Sequence, residues 1–222
     1  MKSKKFLKKN KYCPCCFPID SSFELSEYGI FSSFFLQRVF SSSYSNPIKI
    51  FLCNACKSKF FDVYLSNKEL SRLYDGYRGD KYFKQRNYFE PWYTRKLNDG
   101  IGHEKEFSIR RKELIHALEL AYVKNQFDYV LDHGGDKGQM LKIEKNGINA
   151  KKRFVYEISG IHPEPDIISI SHRQMIKKKW DFILSCHVIE HHPDPRSYVK
   201  NLVELGHKGT IFFVEVPNEI WK

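Results

Sequence analysis

The stretch VLDHGGDKGQML, residues 130–141, decides the fold: an apolar run ends at Asp132 and passes straight into a turn with glycines at 134, 135 and 138. Upstream, EFSIRRKELIHALELAYVKN (106–125) carries Leu114, Leu118, Ala121 and Tyr122 at helical spacing, which predicts a core-facing helix. Downstream, GQMLKIEKNG (138–147) is expected to be helical and to close at Gly147. RFVYE (153–157) is the next strand, and IISI (167–170), DFILSCHVI (181–189) and GTIFFVEV (209–216) follow. A helix over RSYVKNLVEL (196–205) separates the last two, with Asp194 placed to cap it and Pro195 suited to its first turn. Strands alternating with helices predict an α/β domain with a parallel, doubly wound sheet.

A glycine turn between a strand and a helix lets a ligand approach the backbone closely. An acid at the end of the next strand can accept both hydroxyls of a ribose. Glu157 follows Asp132 by 25 residues, a spacing that suits this partnership. The turn therefore predicts a site for a nucleotide moiety. LDHGGDKG is neither the dinucleotide pattern GxGxxG nor a phosphate loop, because no Gly-Lys-Ser or Gly-Lys-Thr follows it.

The turn resembles the D-x-G-x-G-x-G motif of class I S-adenosylmethionine-dependent methyltransferases. Asp132, Gly134 and Gly138 stand in register, and Asp136 stands where the middle glycine belongs. Asp136 must then tolerate the dihedral angles a glycine normally supplies, unless Gly135 takes over that freedom. A second stretch, WDFILSCHVIEHHPDPRSYVKNL (180–202), is similar to the fourth strand and following turn of the same family, E-H-x-x-D-P, through Glu190, His191, Asp194 and Pro195. The resemblance covers roughly residues 107–222. It implies a Rossmann-like methyltransferase sheet, with S-adenosylmethionine bound by Asp132, Gly134, Gly135, Gly138, Glu157 and His187. It also implies two further strands beyond the fifth, so a chain ending at EIWK suggests either a fragment or a last strand covered by something else.

Five of the six cysteines fall in CPCC (Cys13, Cys15, Cys16) and CNAC (Cys53, Cys56). Cys13/Cys16 and Cys53/Cys56 form two CxxC pairs, which in a reducing compartment favour a structural Zn²⁺ over disulfides. A CxC register through Cys15 stays open, as does a redox pair. The intervening segment alternates aromatic and polar residues, which predicts short strands, and breaks at SSSYSNP (41–47). Cys186, alone in an apolar strand, is expected in the core.

These boundaries give a zinc-binding domain over 1–65 with a basic tail, an aromatic and arginine-rich segment over 66–105, and the methyltransferase domain over 106–222. The middle segment reads either as short packing helices or as a lid in which Tyr77, Tyr82 and Arg86 meet a sugar or nucleotide. The front domain also looks like one that accompanies methyltransferases acting on sugars in nucleotide-sugar, antibiotic or surface-polysaccharide pathways.

The net charge is +11, of which six charges come from Lys2, Lys4, Lys5, Lys8, Lys9 and Lys11. That tail is either solvated or an arm for polyanions. No apolar stretch is long enough to span a membrane and no secretory signal is evident, so a cytoplasmic enzyme is expected.

His187 and His191 are the candidate general bases if the acceptor is a hydroxyl, with His192 and His133 behind them. The leading expectation is methylation of a sugar or other small acceptor, with His191 and His187 as catalytic residues. Two alternatives remain: an RNA methyltransferase gripping phosphates with its tail and zinc domain, and a zinc-dependent interaction protein whose methyltransferase half has decayed.

Overall fold

A computed structural model describes residues 8–9, 12–16, 22–29, 32–40, 48–77, 79–100, 102–142 and 147–217. Lys2, Lys4, Lys5 and Lys11 of the basic tail, the SSSYSNP break and the terminal EIWK lie outside the described residues. The chain divides into two units, Met1–Asp99 with Pro193–Arg196, and Gly100–His192 with Ser197–Lys222.

In the first unit, β1 (Lys8–Lys9) pairs antiparallel with β5 (Val63–Tyr64). A second antiparallel sheet has the order β2 (Phe23–Gly29), β3 (Ile48–Cys53), β4 (Lys59–Phe61). Between β2 and β3 the chain forms α1 (Ser33–Phe40), where the aromatic–polar alternation predicts only strands. The Ser32 hydroxyl accepts the Phe35 N–H at 3.2 Å and caps this helix, while Phe34 and Val39 go to the core.

Three helices follow: α2 (Asn67–Tyr74), opened by a reciprocal Ser66/Glu69 capping box, α3 (Asp80–Phe89) and α4 (Arg95–Gly100). Tyr82 is buried, edge-on to Phe34 at 5.1 Å and to Tyr77 at 5.2 Å. Arg86 lies over the Tyr93 ring at 3.8 Å and pairs with Glu90 at 2.9 Å.

The second unit begins with α5 (Glu104–Leu120), followed by β6 (Gln126–His133), β7 (Asn149–Tyr156), β8 (Ile168–Ser169), α6 (His172–Met175), β9 (Trp180–Cys186), α7 (Pro195–Leu205) and β10 (Gly206–Glu215). The strands pair in parallel in the order β10-β9-β6-β7-β8. Alternate strand residues feed two cores. Val130, Val155, Phe182 and Leu184 pack with Phe107, Leu114 and Leu118 of α5, whereas Leu131, Phe154 and Ile183 pack with Met175 of α6 and Tyr198, Leu202 and Leu205 of α7. Helices on both faces make this a Rossmann-like doubly wound sheet, and Cys186 lies in its core as expected.

Two expectations are corrected here. Leu114 and Leu118 face the core, but Ala121 and Tyr122 do not: α5 stops at Leu120, and Phe107 and Arg111 complete its buried stripe. Tyr122 takes φ +54°, its N–H bonds the Glu119 carbonyl, and the Val123 N–H bonds the Leu118 carbonyl. This Schellman ending turns the chain into β6 and leaves the tyrosine ring in solvent.

The helix expected over 138–147 is, in the described residues, a single 3-10 turn, Gln139–Leu141. The Gln139 carbonyl, which an α-helix would offer to residue 143, is taken by the Arg111 guanidinium at 2.7 Å. Residues 143–146 lie outside the described residues.

Candidate functional site

β6 and β9 are sequence-distant neighbours at the centre of the sheet, and the order of winding reverses between them. In such sheets the crevice beyond the carboxyl ends of the strands is the natural ligand site. The two stretches singled out in the sequence meet there.

The turn after β6 is held on both sides. The Gly134 N–H donates to the Tyr156 carbonyl at the end of β7, 2.8 Å away. Gly134 takes φ +74°, and a Cβ on it would lie 2.7 Å from Val188, just past β9. Only a residue without a side chain fits between these neighbours. Asp136 itself adopts the left-handed conformation, φ +55°, so Gly135 does not take over the freedom of the missing glycine. Gly135 serves a steric need instead, because a Cβ there would overlap the carboxyl carbon of Asp132. Gly138, at φ +80°, packs on Ile167.

Two acids bracket this turn. Glu157, half-buried at the end of β7, accepts the Asp136 N–H at 3.2 Å and the Ser159 N–H at 2.8 Å. A carboxylate has about four acceptor positions, so two remain for a ligand. Asp132, next to last in β6, is 1% exposed, and neither of its oxygens has a hydrogen-bond partner. Burial pushes its carboxyl up to about 7; Arg110 opposes the rise, and Glu157, Asp136 and Glu215 add to it. Buried polar groups without a partner are rare in folded proteins, and those with perturbed titration cluster at functional sites.

Beyond β9, His187 takes φ +57° and donates its backbone N–H to the Glu215 carbonyl at 2.8 Å. Its Nε2 lies 3.3 Å from a Glu215 oxygen and its Nδ1 lies 3.8 Å from Glu190. The same Glu190 oxygen is 3.7 Å from His191 Nε2. Glu190 thus links the two histidines expected to be catalytic. His191 titrates below an ordinary imidazole, because burial disfavours its cation and His187 adds to this against the pull of Glu190.

Two groups at this edge escape sequence reasoning. Arg110 makes a bidentate pair with Glu215, with Nε at 3.0 Å and Nη2 at 2.9 Å. Burial pushes Glu215 up, but Arg110, with help from His187, holds it below the usual carboxylate range. The available signal was the position of Glu215 at the end of the fifth strand, the same kind of place that marks Glu157. The other group is a buried relay in which the Tyr198 hydroxyl lies 2.7 Å from Ser185 and 2.9 Å from His133 Nδ1. Burial pushes His133 down to about 4, so its ring is neutral near pH 7.

In the first unit, Cys13, Cys16, Cys53 and Cys56 bring their sulfurs within 4.8 Å of one another. The Cys13–Cys56 and Cys16–Cys53 separations are 3.7 and 3.8 Å. Sulfurs at the corners of a tetrahedron with metal–sulfur bonds of about 2.3 Å would stand about 3.8 Å apart, so the four thiols fit a metal ion. A disulfide needs about 2.05 Å. Burial pushes the Cys13 thiol up, and hydrogen bonding to Cys56 raises Cys16 to about 11, whereas the Ser58 hydroxyl pulls Cys56 down to about 6. Four thiolates cannot share this space without a cation among them. Cys15 is exposed and stands outside the set, 3.6 Å from the Ser58 hydroxyl.

The three residues of the lid reading belong to the first unit. Tyr82 is inside its core, and the guanidinium of Arg86 is committed to Glu90 and Tyr93. Tyr77 packs its ring on Tyr74 and Tyr82.

A doubly wound parallel sheet with a glycine turn after its first strand and an acid closing its second is the arrangement on which nucleotide cofactors bind in folds of this class. Residues 106–222 match the family described as a methyltransferase domain, and the chain belongs to that family. No curated protein matches the chain. Among the described residues, no helix is long and apolar enough to cross a membrane.

Proposed function

We propose that the chain is an S-adenosylmethionine-dependent methyltransferase that methylates a hydroxyl of a sugar or another small molecule, in polysaccharide or secondary-metabolite biosynthesis. The observation that carries the cofactor reading is the fastening of Asp136 N–H to the Glu157 carboxylate beside the unpaired Asp132. This arrangement leaves acceptor positions on Glu157 for ribose hydroxyls and a carboxyl on Asp132 within the field of the ligand. S-adenosylmethionine, when bound, would supply a methyl group on a sulfonium sulfur.

The chain's own residues then have three tasks. The turn Gly134–Gly138 holds the nucleoside close to backbone, and Glu157 orients its ribose. A hydroxyl acceptor must lose a proton as it reacts. His191, whose cation is disfavoured by desolvation and by the neighbouring His187, is suited to take that proton. Glu190, within 4 Å of both imidazoles, orients His191 and stabilises it once charged. Glu215, itself anchored by Arg110, holds His187 at the mouth of β9.

For the four-cysteine site we propose Zn²⁺ as a structural ion, supported by the sulfur spacing and by the all-thiolate donor set. Thiolates persist as ligands in a reducing compartment, which favours the cytoplasm for this protein.

The test is transfer of labelled methyl from S-adenosylmethionine to a panel of free sugars, nucleotide sugars, small phenols and RNA, read by mass spectrometry. Labelled saccharide supports the reading; labelled RNA alone overturns the small-molecule assignment.

A further inference from the structure

Asp132 is the least compensated polar side chain at the crevice. An ionised carboxylate sealed from water without hydrogen bonds would carry a desolvation cost that such groups avoid by taking up a proton. Its surroundings do not remedy this. Arg110 on α5 is the cation whose field reaches it, and that guanidinium is already engaged by both oxygens of Glu215. Three acids weigh against its ionisation: Asp136 in the turn, Glu157 beyond β7 and Glu215 on β10. Cys186 on β9 and Tyr198 on α7 also feel its charge, and burial raises both of them, so they stay neutral. The carboxyl packs directly against the bare backbone of Gly135, so it is part of the wall of the turn.

We propose that Asp132 is a proton switch read by ligand charge: its carboxyl is protonated in the free protein and gives up that proton when the ammonium of a ligand enters the turn. Direct contact is unnecessary, because an opposite charge within about 4–6 Å favours the ionised form of a carboxyl. The O–H bond breaks, its electron pair stays on the carboxylate, and the proton leaves to solvent. The site thus exchanges one positive charge for another. It discriminates an ammonium-bearing amino-acid–nucleoside conjugate from a neutral nucleoside. This inference rests on the reading of the turn as the S-adenosylmethionine site and adds to it the requirement for charge.

Calorimetric titration of the full chain with S-adenosylhomocysteine, whose amino-acid group carries an ammonium, and with adenosine, which is uncharged, tests this across pH 5.5–8.5 in two buffers of different ionisation heat. For S-adenosylhomocysteine the association constant should rise by up to about tenfold per pH unit below neutrality and flatten above it, with heats that differ between the buffers. Adenosine should bind with a flat pH profile, and Asp132→Asn should flatten the profile of S-adenosylhomocysteine.

If both ligands bind with flat profiles, the switch is wrong and the cofactor site stands. If the slope survives in Asp132→Asn, another group carries the proton and the assignment to Asp132 is overturned. If neither ligand binds at any pH, both the switch and the cofactor reading fall. Should the variant not fold, carbon NMR of the wild-type carboxyls decides. Asp132 should titrate near neutrality in the free protein and stay ionised through that range in the complex; ionisation at the pH of an ordinary carboxylate in the free protein would overturn the proposal.

Discussion

The carboxylate of Glu157 accepts the backbone N–H of Asp136 at 3.2 Å, so the acid that closes the second strand of the sheet fastens the turn that leaves the first. Asp136 holds a left-handed conformation there, φ +55°, which costs an L-residue roughly 1–2 kcal/mol outside a supporting context. The bond to Glu157 is part of that support. It also means that one side chain shapes the turn and presents acceptors to whatever the turn holds.

Replacing Glu157 by Ala should therefore weaken binding of S-adenosylhomocysteine by about 1.5–3 kcal/mol, or ten- to more than a hundredfold, through loss of charge-assisted hydrogen bonds. Calorimetry checks this. Affinity within threefold of the wild type would remove Glu157 from the site.

The Asp132 carboxyl makes stability depend on pH in a predictable direction. Its folded-state value, pushed up to about 7, lies above the ordinary carboxylate value of about 3.9 that it regains on unfolding. The folded chain thus keeps a proton that the unfolded chain has released. Its contribution is fully present below about pH 4 and is lost as pH rises through 7. Asp132→Asn should therefore raise the melting temperature at pH 8 relative to the wild type and have less effect at pH 5. Thermal unfolding at the two values checks the sign.

Gly135→Ala should destabilise the second unit, because its new methyl overlaps the Asp132 carboxyl carbon. An overpacked buried site costs roughly 1–3 kcal/mol. Adding Asp132→Ala should recover part of that loss, since the clashing group is gone. Strict additivity of the two changes in a double-mutant cycle would show that the residues do not press on each other.

One metal ion per chain is expected in protein purified without chelator. Cys53→Ser should abolish it and expose the first unit to protease, because structural zinc supplies roughly 10–16 kcal/mol in small domains of this kind. Cys15→Ser should leave the metal content unchanged, as its sulfur stands outside the tetrahedron. Elemental analysis of the three proteins decides; loss of metal in Cys15→Ser would point to the CxC register instead.

If His191 is the base, kcat at saturating cofactor should rise with pH as the imidazole loses its proton and then level off. The midpoint should lie below 6.5, since burial lowers this group. His191→Ala should reduce kcat by about 10²-fold or more with cofactor affinity nearly unchanged. Loss of cofactor binding in the same variant would make His191 part of the binding shell.

The α/β half was legible because its central strands are short apolar runs that end at residues singled out for the candidate site: Asp132, Glu157, Cys186 before His187. Both the register and the meeting of the two motifs follow from winding such units into one parallel sheet. Local pattern failed where tertiary partners decide. In SFFLQRVF the aromatic–polar alternation suits a strand, yet the Ser32 cap and the burial of Phe34 and Val39 make it helical. The helix expected after the turn is cut short by Arg111, which reaches across from α5 to take the Gln139 carbonyl. Arg110 and Glu215 are 105 residues apart, and no spacing rule connects them. The same is true of the Ser185–Tyr198–His133 relay, whose members acquire their roles only through burial.

The most direct test of the central claim is a binding titration of the purified full chain with S-adenosylmethionine and S-adenosylhomocysteine near pH 7.5. The account predicts one site per chain for each, competition between them, and at least about tenfold weaker binding of both in Glu157→Ala. Folded, metal-loaded protein that binds neither ligand would contradict it.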